Sequence, residues 1–223
     1  NNNPNFLFAG VYGGGILRST NGGVTWVPSN NGIDNPYVRT IVADPKNAAV
    51  LYSASVNGVY KSTDTSRTWK KFTFTNSQRD SLSPFNNNSQ DGAIRISPVN
   101  TNNLLVFALT GDFLSSTDAG VTWTPLVLPQ QVTSASVIEN IEFHPTNAST
   151  FYFSANGIWK TTNLGTTWDS IAGNLPATVG GSSDTLYGIH PRIDPSNDSV
   201  IYLPTIANGK QYGIYKTTNG GVN

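Results

Sequence analysis

The chain has 223 residues, and its 13 lysines and arginines balance its 13 aspartates and glutamates, giving a formal net charge of zero. A neutral chain lacks the basic excess that a nucleic-acid groove or an anionic membrane surface requires, so we predict neither partner. The absence of cysteine excludes disulfides and thiolate metal sites, and no apolar stretch approaches the roughly 20 residues that span a bilayer. The abundance of Asn, Ser, Thr and Gly predicts a secreted or cell-surface bacterial protein.

The first recurrent element along the chain is an eight-residue pattern, which we call the octapeptide turn. It begins with Ser or Thr, carries Asp or Asn in third place and ends in Trp. Its third positions are 43, 54, 45 and 56 residues apart, and a period of this size predicts a stack of supersecondary units. The third positions are Asn21, Asp64, Asp118, Asn163 and Asn219, and the four complete copies end in Trp26, Trp69, Trp123 and Trp168.

Each octapeptide is expected to form a tight turn between two strands. A short side-chain oxygen in third place can accept hydrogen bonds from the amides of the turn. Glycine in fifth place supplies a positive φ, whereas Ser66 in the second copy predicts a looser or differently shaped turn. The tryptophan that begins the next strand is large enough to cover the seam between neighbouring units.

A second repeated element, the x-Pro-x-Asn or proline turn, lies between two apolar runs in each unit. Its copies begin at Asp44, Ser97, His144 and Asp194. One unit therefore reads as strand, proline turn, strand, loop, strand, octapeptide turn, strand. Four antiparallel strands per unit predict an all-β fold, a β-propeller of four-stranded blades.

The chain is predicted to form one partial propeller domain over residues 1–223. It enters at a second strand and stops inside its last octapeptide, which gives three whole blades and two partial ones. We expect a segment of a longer protein whose remaining blades complete the propeller. The blades are placed at about residues 1–30, 37–72, 92–127, 137–171 and 187–223.

The pattern Ser-x-Asp-x-Gly-x-Thr-Trp resembles the Asp-box, or bacterial neuraminidase repeat. This repeat occurs in sialidases, xyloglucanase-type glycoside hydrolases, the sortilin ectodomain and photosystem II assembly factors. The spacing from Asp44 to Asp64 is most similar to the xyloglucanase and sortilin-like branch. The resemblance covers nearly the whole chain and implies a propeller, but it does not select a function, because these blades carry enzymes, receptors and assembly factors.

Binding is predicted on the face that carries the strand-two-to-three loops and the crossovers between blades. Two crossovers, 70–92 and 169–188, and the loop 206–212 are enlarged there, and long loops in a compact repeat are often functional. Aromatic residues and arginine are favoured as binding anchors. The candidate ligand-binding residues are Arg79, Phe85, Asp91, Tyr187 and Tyr212.

The sequence argues against hydrolysis by this segment. The resemblance to xyloglucanases implies a catalytic aspartate just before the third strand, but Ser55 stands there, and a hydroxyl cannot replace a catalytic carboxylate. The corresponding residues of the other blades are Tyr12, Leu109, Ser154 and approximately Lys210.

A sialidase would instead bring three arginines together on a substrate carboxylate. Arg39, Arg95 and Arg192 lie on predicted innermost strands, with Glu142 at the position equivalent to the last two. We favour a charged ladder, Arg95–Glu142–Arg192, over a carboxylate-binding cluster, because cross-strand pairs of opposite charge are common.

The sequence predicts no metal site and no cofactor. His144 and His190 belong to different blades and lack clustered carboxylates, so His144 is interpreted as a turn residue.

We therefore predict a non-catalytic extracellular module that binds a protein or polysaccharide partner through its loop-rich face. The alternative is a segment of a secreted glycoside hydrolase, xyloglucanase- or sialidase-like, whose catalytic carboxylates lie outside this segment. A third option is a structural spacer within a larger secreted protein.

Overall fold

The computed structural model is all-β. It describes residues 4–56, 58–74, 93–107, 113–132, 140–155, 157–171, 187–188, 191–207 and 210–221, and every regular element among them is a β-strand. These residues accordingly include no helix of the length and apolarity needed to cross a membrane.

The strands form five separate antiparallel sheets, each built from consecutive strands. The first sheet has three strands, β1 (Leu7–Val11), β2 (Gly15–Ser19) and β3 (Val27–Pro28). The second has β4 (Val38–Ala43), β5 (Leu51–Ser55), β6 (Gly58–Ser62) and β7 (Lys70–Lys71). The third has β8 (Ala93–Ile96), β9 (Leu104–Phe107), β10 (Phe113–Ser116) and β11 (Thr124–Pro125), and the fourth has β12 (Asn140–Phe143), β13 (Phe151–Ser154), β14 (Ile158–Thr161) and β15 (Asp169–Ser170).

The fifth sheet contains β16 (Tyr187–Gly188), β17 (Arg192–Asp194), β18 (Asn197–Ala207) and β19 (Lys210–Thr217). Both β16 and β17 pair with β18, with Tyr187 opposite Ile206 and Arg192 opposite Tyr202, while β19 pairs with β18 along its other edge. This register identifies β16 and β17 as two parts of one interrupted first strand. The first and last sheets therefore have strands two to four and one to three, as the sequence predicts.

The chain divides into two compact units, Asn1–Pro125 with the first three sheets and Leu126–Asn223 with the last two. In the first unit the core lies between adjacent sheets. One cluster joins Ile16 of β2 to Leu51, Tyr60 and Trp69 of the second sheet, and the indole of Trp69 also donates a hydrogen bond to the carbonyl of Ser29, at 2.9 Å. This tryptophan thus covers the seam between two sheets, as its size predicts.

The octapeptide turns share one network of hydrogen bonds. In the third copy Oδ1 of Asp118 accepts from the amide of Thr122 at 2.9 Å, and the hydroxyl of Ser116 accepts from the amide of Gly120 at 2.8 Å. The first and fourth copies repeat both bonds with Asn21 and Asn163 in third place. Asp and Asn are therefore interchangeable in this position because both offer a side-chain oxygen to the same amide.

The expectation that Ser66 loosens the second turn is wrong. Ser66 adopts a φ of 67°, and its amide donates to the Ser62 hydroxyl at 2.9 Å, as glycine does in the other copies. Its own hydroxyl lies 2.9 Å from that of Ser29 in the preceding sheet. That contact, between residues 37 positions apart, supports a side chain where the other copies have none.

In the second to fifth copies the fifth turn position faces what we call the seam residue, the residue directly after the fourth strand of the preceding sheet. A Cβ built on Gly120 would lie 2.4 Å from Phe72, and one on Gly165 would lie 2.9 Å from Leu126. A Cβ on Gly221 would lie 2.8 Å from Ile171. A large seam residue therefore faces glycine, whereas the small seam residue Ser29 faces Ser66.

The proline turns are also closed by side chains. Oδ1 of Asp44 accepts from the amides of Lys46 and Asn47, and the Ser97 hydroxyl occupies the same place in the third sheet. In the fourth sheet Nδ1 of His144 does so, at 3.3 Å from the amide of Thr146 and 3.1 Å from that of Asn147. His144 is thus a turn residue, as predicted, and only its neutral Nε2–H tautomer can accept these bonds.

Acid should weaken this turn of the fourth sheet. Burial lowers the pKa of His144 from 6.5, Lys160 lowers it further, and the carboxylate of Asp198, 3.7 Å from Nε2, opposes them. Because the folded pKa is depressed, the imidazole contributes stability that is present above pH 6.5 and is lost as pH falls through the folded pKa. We expect urea titrations between pH 7 and about 5 to show this loss.

The control substitutions for this prediction come from the chain itself. His144→Asp and His144→Ser reproduce the proline turns that begin at Asp44 and Ser97 and should remove the pH dependence. A wild-type profile identical to that of both variants would contradict the assignment.

Candidate binding site

The connection between strands two and three of the first sheet, and the crossover from the first sheet to the second, lie opposite the two kinds of turn; we call this end of a sheet the loop end. In the first unit an exposed aromatic pair lies there. The rings of Tyr12 and Tyr37 meet edge to face with centroids 4.9 Å apart, and the guanidinium of Arg39 lies 5.3 Å from the Tyr12 centroid. Tyr12 is 67% exposed and Tyr37 is 40% exposed. We call these three residues the tyrosine platform.

Local backbone structure holds both rings. Tyr12 is the second residue of a turn in which the Gly14 amide donates to the Val11 carbonyl at 2.9 Å, and Gly13 supplies the positive φ, 75°, typical of a type II turn. The amide of Tyr37 donates to Oδ1 of Asn35 at 2.9 Å, in a short Asx turn that directly precedes β4. The two rings are therefore placed before any ligand arrives, which reduces the entropy lost on binding.

Arg39 reaches Tyr12 because β4 contains a bulge. Val38 pairs with Ser55 and Thr40 with Ala54, so Arg39 is the extra residue between two pairs. A bulge leaves its extra residue outside the ladder and re-aims the side chain, and bulges are common beside functional sites. The irregular register thus brings a cation from the second sheet over a ring of the first.

A hydrogen-bonded cluster closes the crossover beside the platform. The Tyr60 hydroxyl donates to Oδ1 of Asp34, and Nζ of Lys71 lies 2.7 Å from Oδ2 of Asp34. Burial raises the pKa of Asp34, but the bonds from Lys71 and Tyr60 outweigh burial, so the pKa lies below its usual 3.8. An ionised carboxylate held by lysine is a structural clamp and a poor proton donor.

The residues at the positions of the xyloglucanase aspartate carry no carboxyl group. Ser55 and Ser154 are fully buried, so neither hydroxyl can touch a substrate from solvent. Leu109 lies outside the described residues, and Lys210 is described only through its backbone in β19. Tyr12 is the one position of this set with a described, exposed side chain, and it belongs to the platform.

None of the described carboxyl groups that have a shifted pKa has the raised pKa that a glycosidase acid needs. Such an acid has a raised pKa and lies within about 10 Å of a second carboxylate. Four described carboxyl groups have a pKa that departs from its usual value, and all four are lowered: Asp34, Asp64, Asp118 and Asp194. The last three lie in octapeptide or proline turns, each at the end of its own sheet that is opposite the loop end.

One pair of the predicted charged ladder, Glu142 with Arg192, is present in the second unit. Nη1 of Arg192 lies 2.6 Å from Oε2 of Glu142, which joins the first strands of the fourth and fifth sheets. In the first unit Arg95 lies 5.8 Å from the centre of the Phe107 ring and donates to the Ile94 carbonyl at 3.2 Å. Arg39, Arg95 and Arg192 therefore have three different described contacts.

The ligand-binding residues predicted from the sequence remain predictions. Arg79, Phe85 and Asp91 lie outside the described residues. Tyr187 and Tyr212 lie in β16 and β19, but their side chains are not described. Within the described ranges no three histidine or carboxylate side chains come together as metal ligands would.

The sequence does not predict the platform. It places Tyr12 only at a position equivalent to a catalytic residue, and Arg39 only on a predicted innermost strand. The signals it offers are local: a tyrosine before three glycines, and a Pro-Tyr pair at the start of the next blade. Neither signal shows that the two tyrosines touch.

No protein-family model matches the sequence, and no curated protein matches it either. Solved structures do match. The GH74 xyloglucanase from Xanthomonas campestris is 19% identical with a TM-score of 0.69, and the match covers 97% of this chain and 35% of that one. The extracellular domain of the two-component system protein BT4673 from B. thetaiotaomicron is 15% identical with a TM-score of 0.63, covering 96% of this chain and 26% of that one.

A third similar structure is YCF48 bound to D1 peptide, 12% identical with a TM-score of 0.51, covering 98% of this chain and 77% of that one. The chain spans about a third of the xyloglucanase chain that it matches. At these identities the likeness shows the fold alone. The chain is an all-β protein of the β-propeller fold, built from four-stranded antiparallel blades and incomplete relative to the larger propeller proteins it resembles.

Proposed function

We propose that this chain is part of an extracellular propeller that binds a glycan at the tyrosine platform. The observation that carries the proposal is the exposed, pre-positioned pair of Tyr12 and Tyr37 beside Arg39. A pyranose ring presents a face of C–H groups that packs on an aromatic ring, and tyrosine adds a hydroxyl for hydrogen bonding. Tyrosine and arginine are also the residues in which binding energy concentrates.

The octapeptide turns fit the same proposal, and we infer that they are Asp-boxes. Their shared bonding, with a third-position oxygen and a first-position hydroxyl each accepting a turn amide, gives the repeat a structural role. Binding is then left to the opposite, loop end of the sheets. The extracellular propeller from B. thetaiotaomicron supports an extracellular location, and the peptide complex of YCF48 makes a protein partner the competing outcome of the test.

Removing either ring of the platform should weaken glycan binding about tenfold, which corresponds to about 1.4 kcal/mol. The measurement is isothermal titration of wild type, Tyr12→Ala and Tyr37→Ala with soluble xyloglucan, β-glucan and polygalacturonate. Because both side chains are exposed, the melting temperature should not change.

Tyr215→Ala is the matched control, because Tyr215 is 39% exposed, almost as Tyr37 is, and lies in the other unit. Equal losses in this control and in the platform variants would contradict the proposal. Wild-type affinity in both platform variants would contradict it as well. Binding of a peptide library in place of every glycan would identify a protein partner.

A second candidate function is that of a hydrolase segment, supported by the fold likeness to the xyloglucanase. In that case the catalytic carboxylates lie outside the residues described here. Release of reducing sugar from xyloglucan by a longer protein that contains this segment would support the hydrolase. Binding of xyloglucan without release of reducing sugar would instead support the non-catalytic binding module.

A further inference from the structure

Arg39 carries a charge that the described part of the protein does not neutralise. Its described contact is the face of the Tyr12 ring, and it makes no hydrogen bond or ion pair with any described residue. Two other arginines are engaged: Arg18 donates to the Thr65 carbonyl at 3.4 Å, and Arg192 binds Glu142. The carboxylate of the adjacent crossover, Asp34, is already held by Lys71 and Tyr60.

We propose that the sugar taken by the tyrosine platform is acidic, and that Arg39 binds its carboxylate or sulfate. This inference rests on the proposed function, since it names the ligand class of the same site. The Tyr12 ring lies on one side of the guanidinium, at 5.3 Å from its centre, and the N–H donors of a guanidinium lie in its plane and point along its edges. Two oxygens of a carboxylate or of a sulfate group can meet two of these donors at once while the sugar ring packs on a tyrosine.

The fold fixes the position of Arg39, and this distinguishes it from an arginine on a regular exposed strand. The bulge in β4 removes the residue from the strand ladder, and Val38 on its N-terminal side is buried. The backbone of Tyr37 is fixed on both sides, because its carbonyl accepts the Val56 amide at 3.2 Å and its amide donates to Asn35. Cation and rings are thus pre-positioned, so little flexibility is lost on binding.

The test compares acidic glycans with uncharged versions of the same sugars. One pair is polygalacturonate and its fully methyl-esterified form; the other is a sulfated galactan and the desulfated galactan. We expect wild type to bind at least one acidic member more than about tenfold tighter than its neutral counterpart. The preference should shrink as salt is raised, because the contact is ionic. The two pairs distinguish a carboxylate from a sulfate.

Arg39→Gln should lose this preference, because the loss of the cation weakens binding of the acidic glycans more than binding of their neutral counterparts. Arg39→Lys should recover part of it, since lysine keeps the charge without the planar fork. The matched control is Arg67→Gln, because Arg67 is an exposed arginine of the same blade at the opposite end of the sheet. Equal melting temperatures would show that none of the variants perturbs the fold.

Equal affinity for acidic and neutral sugars, or an unaltered preference in Arg39→Gln, would overturn the inference. If the tyrosine variants still lost neutral binding in that case, the proposed glycan-binding function would stand. If neither the tyrosine variants nor the arginine variants altered any binding, both proposals would fail.

Discussion

Replacing Gly120 by serine is expected to lower the free energy of unfolding by about 3 kcal/mol. Gly120 has a φ of 87°, which side chains rarely adopt, and a Cβ there would lie 2.4 Å from Cε1 of Phe72. Phe72 cannot easily yield, because it packs against Trp123, with ring centroids 5.4 Å apart. The backbone strain at Gly120 and the overlap of the added Cβ with Phe72 both destabilise the variant. Urea unfolding followed by tryptophan fluorescence would measure their combined effect on the free energy of unfolding.

The chain supplies the control, because it already contains a serine in the same turn position opposite a serine seam residue. Phe72→Ser combined with Gly120→Ser copies the contact of Ser29 with Ser66. The single Phe72→Ser change should itself cost about 3 to 5 kcal/mol through lost packing. The double variant should nevertheless lose less free energy of unfolding than the sum of the two single losses, by at least about 1 kcal/mol. Strict additivity would mean that Gly120 is required only for its backbone.

Removing the third-position oxygen of the same turn is the second large effect. Asp118→Ala deletes the acceptor for the amide of Thr122 and for its hydroxyl, so we expect a loss of about 2 kcal/mol. Asp118→Asn should be nearly neutral. In the first copy Asn21 accepts the amide of Thr25 at 2.9 Å and donates to its hydroxyl at 2.8 Å. The melting temperatures of Asp118→Ala and Asp118→Asn would show whether stability depends on the hydrogen bond or on the charge of Asp118.

The aspartate turns add a dependence on acid that the asparagine turns lack. Hydrogen bonds from Thr122 lower the pKa of Asp118 to about 2, and in Asp64 bonds from Thr68 outweigh burial and lower the pKa to about 2. Because the folded pKa values are depressed, this stability is present above pH 3.8 and is lost as pH falls through about 2. The variant with Asp64→Asn and Asp118→Asn should not show that loss, and an unchanged acid profile would refute the assignment.

The octapeptide turns were predictable because their bonds are local. Each third-position oxygen bonds an amide four residues later, so the repeated letters alone indicate the turn and its spacing indicates the sheets. The prediction for Ser66 failed for the opposite reason. Its support comes from Ser29, which the sequence places 37 positions away and only the fold brings near.

The tyrosine platform shows the same limit at a site. Tyr12 and Arg39 belong to different sheets, and their contact depends on a bulge in β4 that the residue types of this strand do not predict. The sequence could predict the end of the sheets at which binding is expected, because strand direction follows from counting turns. It could not choose among the exposed aromatic residues there, since that choice depends on which of them the backbone brings together.

The pairing of each seam residue with the fifth position of the next turn restricts how such a chain can be rearranged. A duplication that placed the second blade after itself would set Ser66 against Phe72, a residue that elsewhere requires glycine. Deleting the second blade would instead leave Ser29 facing Gly120, with space that neither residue fills. The blades look interchangeable as a repeat, yet the residue pair at each seam fits only one order of blades. Recombination between copies must therefore change both the seam residue and the fifth turn position that it faces, or the protein loses stability.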